Sequence, residues 1–252
     1  MTSVVICGAL GRMGGTVARL VNEAPDLDLV GGVDVRNGEV FRAPVVTAAE
    51  IDDLLESTHP DVLVDFTVAA AAVANVKAAG RHGTPVIVGT TGFSPAQRDD
   101  LRQTIEGRIP AVISSNFSMG VNIFLHLVRE AARKLPDYDI EVTEAHHRYK
   151  KDAPSGTAKM IIEALESELG PREKIYGREG MKERGSEIGV HVLRGGDIVG
   201  DHAVLFARNF ECIELSHRAY DRAVFASGAL KAVRWVVGKK PGIYSMATVL
   251  GL

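Results

Sequence analysis

Apolar runs and amphipathic segments alternate along the first half of the chain. Residues 13–21 repeat apolar positions at helical spacing, an alanine-rich helix runs through Lys77, and Ser94-Pro95 carries an N-cap and a first-position proline. Runs typical of buried strands fall at 4–7, 27–34, 62–66, 85–90 and 111–114. This alternation predicts an α/β fold with a Rossmann-like, doubly wound parallel sheet and helices on both faces.

The pattern changes after about residue 118. A helix is predicted over 119–135, a strand then leads into the histidines at 146 and 147, and a helix with one apolar face ends at Gly170. Charged and glycine-containing residues 171–187 predict a mobile loop. Three strand-like runs between 188 and 219 have short connections and precede a last helix over 224–237. We therefore expect a second, α+β domain with an open, mostly antiparallel sheet.

Composition narrows the function classes. The chain has 252 residues, 46% of them hydrophobic, and a net charge of −3, which favours neither nucleic acid nor a membrane surface as a partner. It contains no apolar run of about 18 residues that would span a membrane. Cys7 and Cys212 both lie in apolar, strand-like runs and are predicted to be buried free thiols. These features predict a cytoplasmic protein.

A glycine loop follows the first strand and opens the first helix. Gly8, Gly11 and Gly14 have the spacing G-x-x-G-x-x-G, which allows a tight turn and close approach of a pyrophosphate to the helix N-terminus. A purely structural turn is the alternative, but the position between strand and helix favours a dinucleotide site. Asp34 ends the second strand, where a carboxylate binds a ribose hydroxyl, whereas Arg36 would suit a 2′-phosphate.

Two further loops follow predicted strands, and ligands bind at the carboxyl ends of strands in such folds. Thr67, Gly89 and Thr91 in these loops are predicted to line the nicotinamide side. The cofactor is thus NADH or NADPH, with the choice left open.

The segment EAHHRYKKDAPSGTAKM, residues 144–160, concentrates positive charge in a slightly acidic chain. Ser155 or Thr157 can cap the following helix, whose N-terminal amides form an anion site. Adjacent cations suit a dicarboxylate, and a histidine there can deliver a proton. Glu144, His146 and His147 lie close in sequence, but no metal-binding motif supports them and we predict no metal.

The motifs GALGRMG, DFT, GTTGFS, SSNFSMGVN, EAHHRYKKDAPSGTA, RGGDIVGDH and GKKPGIYSM resemble, in order, those of the 4-hydroxy-tetrahydrodipicolinate (dihydrodipicolinate) reductase family. The resemblance implies reduction of a cyclic imine dicarboxylate on the diaminopimelate route to lysine, with hydride transfer to ring C4 and loss of water. By the same resemblance, His146 matches the general acid and Lys150 the catalytic lysine. The substrate-binding positions are His147, Ser155, Gly156 and Thr157.

The resemblance also implies a cofactor domain at 1–118 that is completed by 223–252, a substrate-binding and oligomerisation domain at 119–222, and a homotetramer. Tyr149 replaces a histidine of many members, and Val35 replaces an arginine of some relatives, which keeps cofactor preference open. The predicted cofactor set further includes Arg12, Met13, Ser115, Phe117 and Arg222. Two alternatives remain: another nicotinamide-dependent dehydrogenase of the aspartate or homoserine type, and a non-catalytic sensor of a dinucleotide or dicarboxylate.

Overall fold

The computed structural model describes residues 1–252, which form two compact units. The first unit comprises residues 1–119 and 223–252, and the second comprises residues 120–222. None of the helices is both long enough and apolar enough to cross a membrane. The assignment of cofactor binding to the first unit, and of substrate binding and assembly to the second, stays a prediction.

The chain contains thirteen strands and eight α-helices. The strands are Thr2–Cys7 (β1), Leu27–Asp34 (β2), Gly38–Val40 (β3), Ala43–Thr47 (β4), Val62–Asp65 (β5), Val86–Val88 (β6), Pro110–Ile113 (β7), Asp139–His146 (β8), Lys174–Tyr176 (β9), Ile188–Arg194 (β10), Gly200–Arg208 (β11), Glu211–Ala219 (β12) and Gly242–Tyr244 (β13). The α-helices are Arg12–Glu23 (α1), Ile51–Thr58 (α2), Ala69–His82 (α3), Pro95–Ile105 (α4), Met119–Lys134 (α5), Gly156–Leu169 (α6), Ala223–Val236 (α7) and Met246–Leu250 (α8).

The first unit is built on an eight-stranded sheet in the order β13-β7-β6-β5-β1-β2-β4-β3. All neighbouring pairs are parallel except β3 with β4. Strand β1 is central, with β2 on one side and β5 on the other, so the chain winds in both directions from it. This confirms the predicted doubly wound sheet, and it places the loops after β1, β5 and β6 at the carboxyl edge, where such folds bind ligands.

Each face of this sheet is covered by helices, which is why its central strands contain apolar runs, at residues 4–7 of β1 and 62–64 of β5. On β1, Val4 and Ile6 pack with α1, α7 and α8, whereas Val5 and Cys7 pack with α2, α3 and α4. Cys7 is fully buried, as predicted. Burial, followed by the nearby carboxylates of Asp65 and Asp34, raises the pKa of its thiol and keeps it protonated.

The sequence pattern did not predict every element of the first unit. Helix α3 continues past Lys77 to His82 and ends at Gly83, which has a left-handed φ of 68°. Strands β3, β4 and β13 have three to five residues each, and their sequences are too short to show a recognisable alternation of apolar and polar residues. They extend the sheet at its two edges, where little apolar surface is needed.

The second unit contains a mixed five-stranded sheet in the order β12-β11-β8-β10-β9. Antiparallel pairing of β11 with β12 and with β8 forms the larger part of the ladder, as predicted. The short connection between β10 and β11 suggested a hairpin, but these two strands do not pair. Strand β10 instead pairs parallel with β8, on the side of β8 opposite to β11. The apolar positions of β8, β10 and β11 face α5 and α6, and the opposite face carries no helix of this unit.

The segment 171–187 differs from the predicted mobile loop. It contains β9, which pairs parallel with β10, and two of its arginines bind carboxylates of the sheet. Arg178 and Arg184 both contact Glu141 on β8, and Arg184 also contacts Asp139. Two of the arginines that suggested a solvated loop, Arg178 and Arg184, therefore form ion pairs that hold the segment on the sheet.

Cys212 also differs from its prediction as a buried thiol. It is exposed rather than buried, because β12 is an edge strand and residue 212 points to the face opposite the helices. Its neighbours Ile213 and Leu215, on the other side of the pleat, lie level with the buried residues Phe206 and Val204 of β11.

Candidate active site

The glycine loop after β1 has the backbone geometry of a phosphate-binding turn. Gly8 has a φ of 81°, which favours glycine, and a Cβ at Gly14 would lie 2.0 Å from the Gly8 oxygen. The start of α1 therefore packs directly on the loop. Gly11 is its N-cap and no side chain caps this terminus, so the first-turn amides are directed at an incoming anion. These features fit a dinucleotide pyrophosphate.

The other predicted pyrophosphate and ribose residues surround this loop. Arg12 is exposed in the first turn of α1, and Met13 packs partly into the core. Asp34 accepts hydrogen bonds from the amides of Leu10, at 2.8 Å, and Val35, at 2.7 Å. Asp34 thus fixes the glycine loop and still presents carboxylate lone pairs at the sheet edge. Arg36 is exposed two residues further on.

A buried carboxylate that sequence reasoning missed organises the next two loops. The Asp65 Oδ1 atom accepts hydrogen bonds from the hydroxyls of Thr67, at 2.8 Å, and Thr90, at 2.6 Å. Its Oδ2 atom accepts a bond from Asn75 Nδ2 at 2.8 Å. The Thr67 amide also donates to Thr90 Oγ1 at 2.8 Å. Asp65 therefore joins the loop after β5 to the loop after β6.

The structure gives Gly89 a packing role, because a Cβ there would lie 2.1 Å from the ring of Phe66. Phe66 in turn packs edge-on against Phe117, with ring centroids 5.8 Å apart. Phe117 is buried, so its predicted cofactor contact would have to come from its backbone. Thr91 and Ser115 lie on the wall of one cavity of about 400 Å³, beside the ends of β6 and β7.

The second unit brings the predicted catalytic histidine against a buried carboxylate. Glu144 and His146 point to the same face of β8, and His146 Nδ1 is hydrogen-bonded to Glu144 Oε2. Glu144 also binds Arg194 through two contacts of 3.1 Å. Burial alone raises the pKa of Glu144, but the bonds from His146, Arg194 and the Ser155 amide outweigh it and lower the pKa to about 2.

The same carboxylate reaches the start of α6. The Ser155 amide donates to Glu144 Oε1 at 2.8 Å, and Ser155 Oγ caps the helix by accepting from the Ala158 amide at 3.1 Å. His202 Nε2 lies 3.3 Å from Ser155 Oγ, and its ring packs edge-on against His146. Desolvation, with the neighbouring charges, lowers the pKa of His202 to about 4, so its imidazole is neutral at pH 7.

Five further predicted residues belong to this part of the second unit. His147 Nε2 is 3.3 Å from Arg222 Nη2, and desolvation followed by the charge of Arg222 lowers the pKa of His147. Arg222, predicted as a cofactor residue, is thus paired with a predicted substrate residue. Lys150 Nζ binds Asp152 Oδ1 at 2.8 Å. Gly156 and Thr157 form the first turn of α6.

Glu144, His146 and His202 place potential metal-ligand atoms within 4.8 Å of one another. This set differs from the one weighed in the sequence, since His202 takes the place of His147. Both oxygens of Glu144 already accept two hydrogen bonds each, from Arg194, His146 and the Ser155 amide. A cationic guanidinium on the carboxylate opposes the binding of a metal ion, so the arrangement fits proton transfer better.

Sequence reasoning missed Asp65, Glu144, Arg194 and His202 as site residues. The spacing of Glu144 and His146 was the available signal, because residues two apart on a strand share a face. Arg194 and His202 have no such spacing signal, although they begin and end the RGGDIVGDH motif. They meet Glu144 through strand pairing, in which Arg194 lies opposite His146 and His202 opposite Glu144.

Comparison with known proteins agrees with this geometry along the whole chain. Residues 2–117 match the family model described as dihydrodipicolinate reductase, N-terminus, and residues 120–250 match the corresponding C-terminus model. A 4-hydroxy-tetrahydrodipicolinate reductase of Methanoculleus marisnigri is 69% identical over 252 residues and covers 100% of both chains. One of Methanoregula boonei is 67% identical, covering 100% of this chain and 99% of the relative.

The fold has a close counterpart among solved structures. A dipicolinate-bound dihydrodipicolinate reductase from Paenisporosarcina sp. TG-14 superposes with a TM-score of 0.83 at 24% identity and covers 97% of each chain. The two family models together span nearly the entire sequence. The chain is an NAD(P)H-dependent oxidoreductase and belongs to the dihydrodipicolinate reductase family.

Proposed function

We propose that this chain reduces 4-hydroxy-tetrahydrodipicolinate to tetrahydrodipicolinate on the diaminopimelate route to lysine. The unit of residues 1–119 and 223–252 would bind NADH or NADPH, and the unit of residues 120–222 would bind the dicarboxylate. The observation that carries the proposal is the joining of His146 to the capped N-terminus of α6 through one buried carboxylate, Glu144. This arrangement supports a proton donor at His146 beside an anion site at the start of α6.

The anion site supports a doubly charged substrate. The helix N-terminus at Gly156 and Thr157 offers backbone amides and a partial positive charge. The cations Lys150 and Arg222 add the charge needed for a second carboxylate, and His147 adds a polar ring beside Arg222. When substrate binds, we expect its carboxylate to replace Asp152 as the partner of Lys150.

The nicotinamide, when bound, supplies a hydride to ring C4 of the substrate. The 4-hydroxyl leaves as water, so each turnover consumes one proton in addition to the hydride. His146 holds that proton at Nε2, which has no hydrogen-bond partner in the structure and faces Gly200, a residue with no side chain to block it. The Lys150 ammonium stabilises the negative charge that develops on the ring.

The test is steady-state oxidation of NADH or NADPH with the product of dihydrodipicolinate synthase as substrate. His146→Gln and Lys150→Met are each expected to lower kcat by roughly 10²–10⁴-fold. Lys151→Met is the matched control, because this lysine is exposed and makes no contact in the site. Near-normal turnover in either site variant would remove that residue from the mechanism. Tight dicarboxylate binding without any turnover in the unaltered protein would favour the sensor function instead.

We extend the proposal to a homotetramer assembled through the second unit. The sheet face opposite α5 and α6 carries small side chains, including Thr143, Ala145, Ala203 and Ser216, and no helix of the unit covers it. Such a face suits close contact with a second sheet. Sedimentation of a monomer at micromolar concentration would contradict this assembly.

A further inference from the structure

Glu144 has three partners that belong to different parts of the candidate active site. It is fully buried on β8, where it contacts the ring of His146, the guanidinium of Arg194 and the amide of Ser155. A buried carboxylate is costly unless hydrogen bonds and a counter-ion satisfy it. Its partners therefore identify what it holds in place: the proposed proton donor and the N-cap residue of the anion-binding helix.

The ionised state of Glu144 decides the tautomer of His146. A carboxylate can only accept hydrogen bonds, so the His146 Nδ1 atom must carry a hydrogen. The Nε2 atom of a neutral His146 is then unprotonated, and any proton that it gains can be given up without disturbing the bond to Glu144. A Cβ on Gly200 would come within 3.1 Å of Nε2, so this glycine leaves the reacting nitrogen open.

The second oxygen of Glu144 performs a separate task. Oε1 accepts from the Ser155 amide at 2.8 Å, while Ser155 Oγ caps α6. The ring of His146 and the N-terminus of α6 are thus fixed to the two oxygens of one rigid group. Arg194 contacts both oxygens, and one of its nitrogens also donates to the Asp152 carbonyl at 2.7 Å. The arginine therefore prevents the carboxylate from rotating out of this arrangement.

We propose that Glu144, held by Arg194, is the positioning residue that sets the tautomer and ring orientation of His146 and fixes the anion-binding start of α6 beside it. This deepens the proposed function and rests on it, because the benefit to turnover requires His146 to be the proton donor. Glu144 itself does not touch the substrate; it acts through His146 and Ser155.

The primary test is the side-chain nitrogen NMR spectrum of His146 in the unaltered protein and in Glu144→Gln. The unaltered protein should show hydrogen on Nδ1 of His146, the nitrogen that faces the carboxylate. Glutamine has the same shape but carries both donors and an acceptor, so the variant should show a mixture of tautomers. Absence of hydrogen from Nδ1 in the unaltered protein, or an unchanged hydrogen distribution between the two nitrogens in the variant, would overturn the proposal. The first measurement needs no substitution and so does not depend on the folding of a variant.

Kinetics and binding supply the second readout. Glu144→Gln should lower kcat by roughly 10–10²-fold, since orientation of the donor is impaired but the imidazole remains. The dissociation constant of pyridine-2,6-dicarboxylate should rise several-fold, because the start of α6 is loosened. The matched control is Glu141→Gln, on the same strand but the opposite face, where the carboxylate also pairs with arginines and with His191. Equal effects of the two substitutions would mean a general loss of structure and would refute a positioning role.

These readouts separate failure of this proposal from failure of the proposed function. If His146→Gln keeps its turnover, the proton-donor role is wrong, yet the tautomer measurement still tests what Glu144 does to the ring. If His146→Gln is inactive and the tautomer is unaffected by Glu144→Gln, only the positioning role is lost.

Discussion

Each unit buries one carboxylate completely, and the two are satisfied in different ways. Asp65 in the first unit accepts only from neutral donors, namely the hydroxyls of Thr67 and Thr90, the Thr67 amide and the Asn75 amide group. Glu144 in the second unit accepts from a guanidinium and an imidazole. Neutral donors make Asp65 a fixed junction between loops, whereas the imidazole donor connects Glu144 to the proposed proton transfer.

The difference agrees with the chemistry that we propose for each unit. A dinucleotide needs loops of constant shape, and no proton has to move where it binds. A substrate that loses water needs a donor whose proton can be released and replaced. The comparison therefore indicates which buried carboxylates act as structural junctions and which belong to reaction chemistry.

The largest expected effect comes from removing each carboxylate. Glu144→Ala should lower the free energy of unfolding by about 3–5 kcal/mol, because the Arg194 cation loses its counter-ion inside the protein. Asp65→Ala should cost less, about 1–3 kcal/mol, since its neutral donors can bond to one another; the Thr67 amide already lies 2.8 Å from Thr90 Oγ1. Urea unfolding of both variants measures the difference.

A double substitution sharpens that result. If Glu144→Ala lowers the free energy of unfolding because the Arg194 cation is left unpaired, adding Arg194→Met should recover part of the lost stability. A double-mutant cycle detects this recovery. Equal losses for Glu144→Ala and Asp65→Ala, with no recovery in the double variant, would show that the charge of the donors is irrelevant.

The second effect concerns the pH dependence of stability. Burial lowers the pKa of His202 to about 4 from its ordinary value of 6.5. The unfolded chain therefore binds a proton below pH 6.5 that the folded chain accepts only near pH 4, and stability falls as the pH decreases through this window. A tenfold change in proton affinity is worth about 1.4 kcal/mol, so the loss between pH 6.5 and pH 5 should be about 2 kcal/mol.

Replacing the imidazole tests this assignment. In His202→Gln the loss of stability between pH 6.5 and pH 5 should be smaller by that amount, as measured by urea unfolding at each pH. The control is His59→Asn, at an exposed helix end with a left-handed φ of 43°, which asparagine tolerates. An unchanged pH profile in His202→Gln would mean that His202 is not the buried neutral group of the second unit.

Features that depend on neighbouring residues could be predicted from the sequence, whereas features that depend on distant residues could not. The glycine loop with α1, and Ser155 with α6, were predictable because their signals lie within a few residues: the loop glycines, and a cap that bonds three residues ahead. The partners of the buried carboxylates were not, since Thr90 and Arg194 lie 25 and 50 residues from theirs. Only the register of the sheets brings them together, and one residue of slippage would turn them to the other face.

The smallest expected effect distinguishes Asp34 from both buried carboxylates. Asp34 resembles Asp65 in accepting from neutral donors, the Leu10 and Val35 amides, but it is only half-buried and can also accept from a ligand. Asp34→Ala should raise the dissociation constant of NADH by about tenfold, because a charge-assisted bond to the ribose is lost. NADPH should be affected less, since loss of the carboxylate also removes repulsion of the 2′-phosphate.

Asp34→Asn separates the two tasks of this side chain. Asparagine keeps an oxygen for the Leu10 amide but has no charge, so the glycine loop should stay in place while discrimination between the cofactors decreases. Arg36→Gln is the reciprocal variant and should weaken NADPH binding more than NADH binding. Fluorescence titration of both cofactors measures these ratios. Equal weakening of NADH and NADPH by Asp34→Ala would mean that Asp34, like Asp65, serves only to hold a loop.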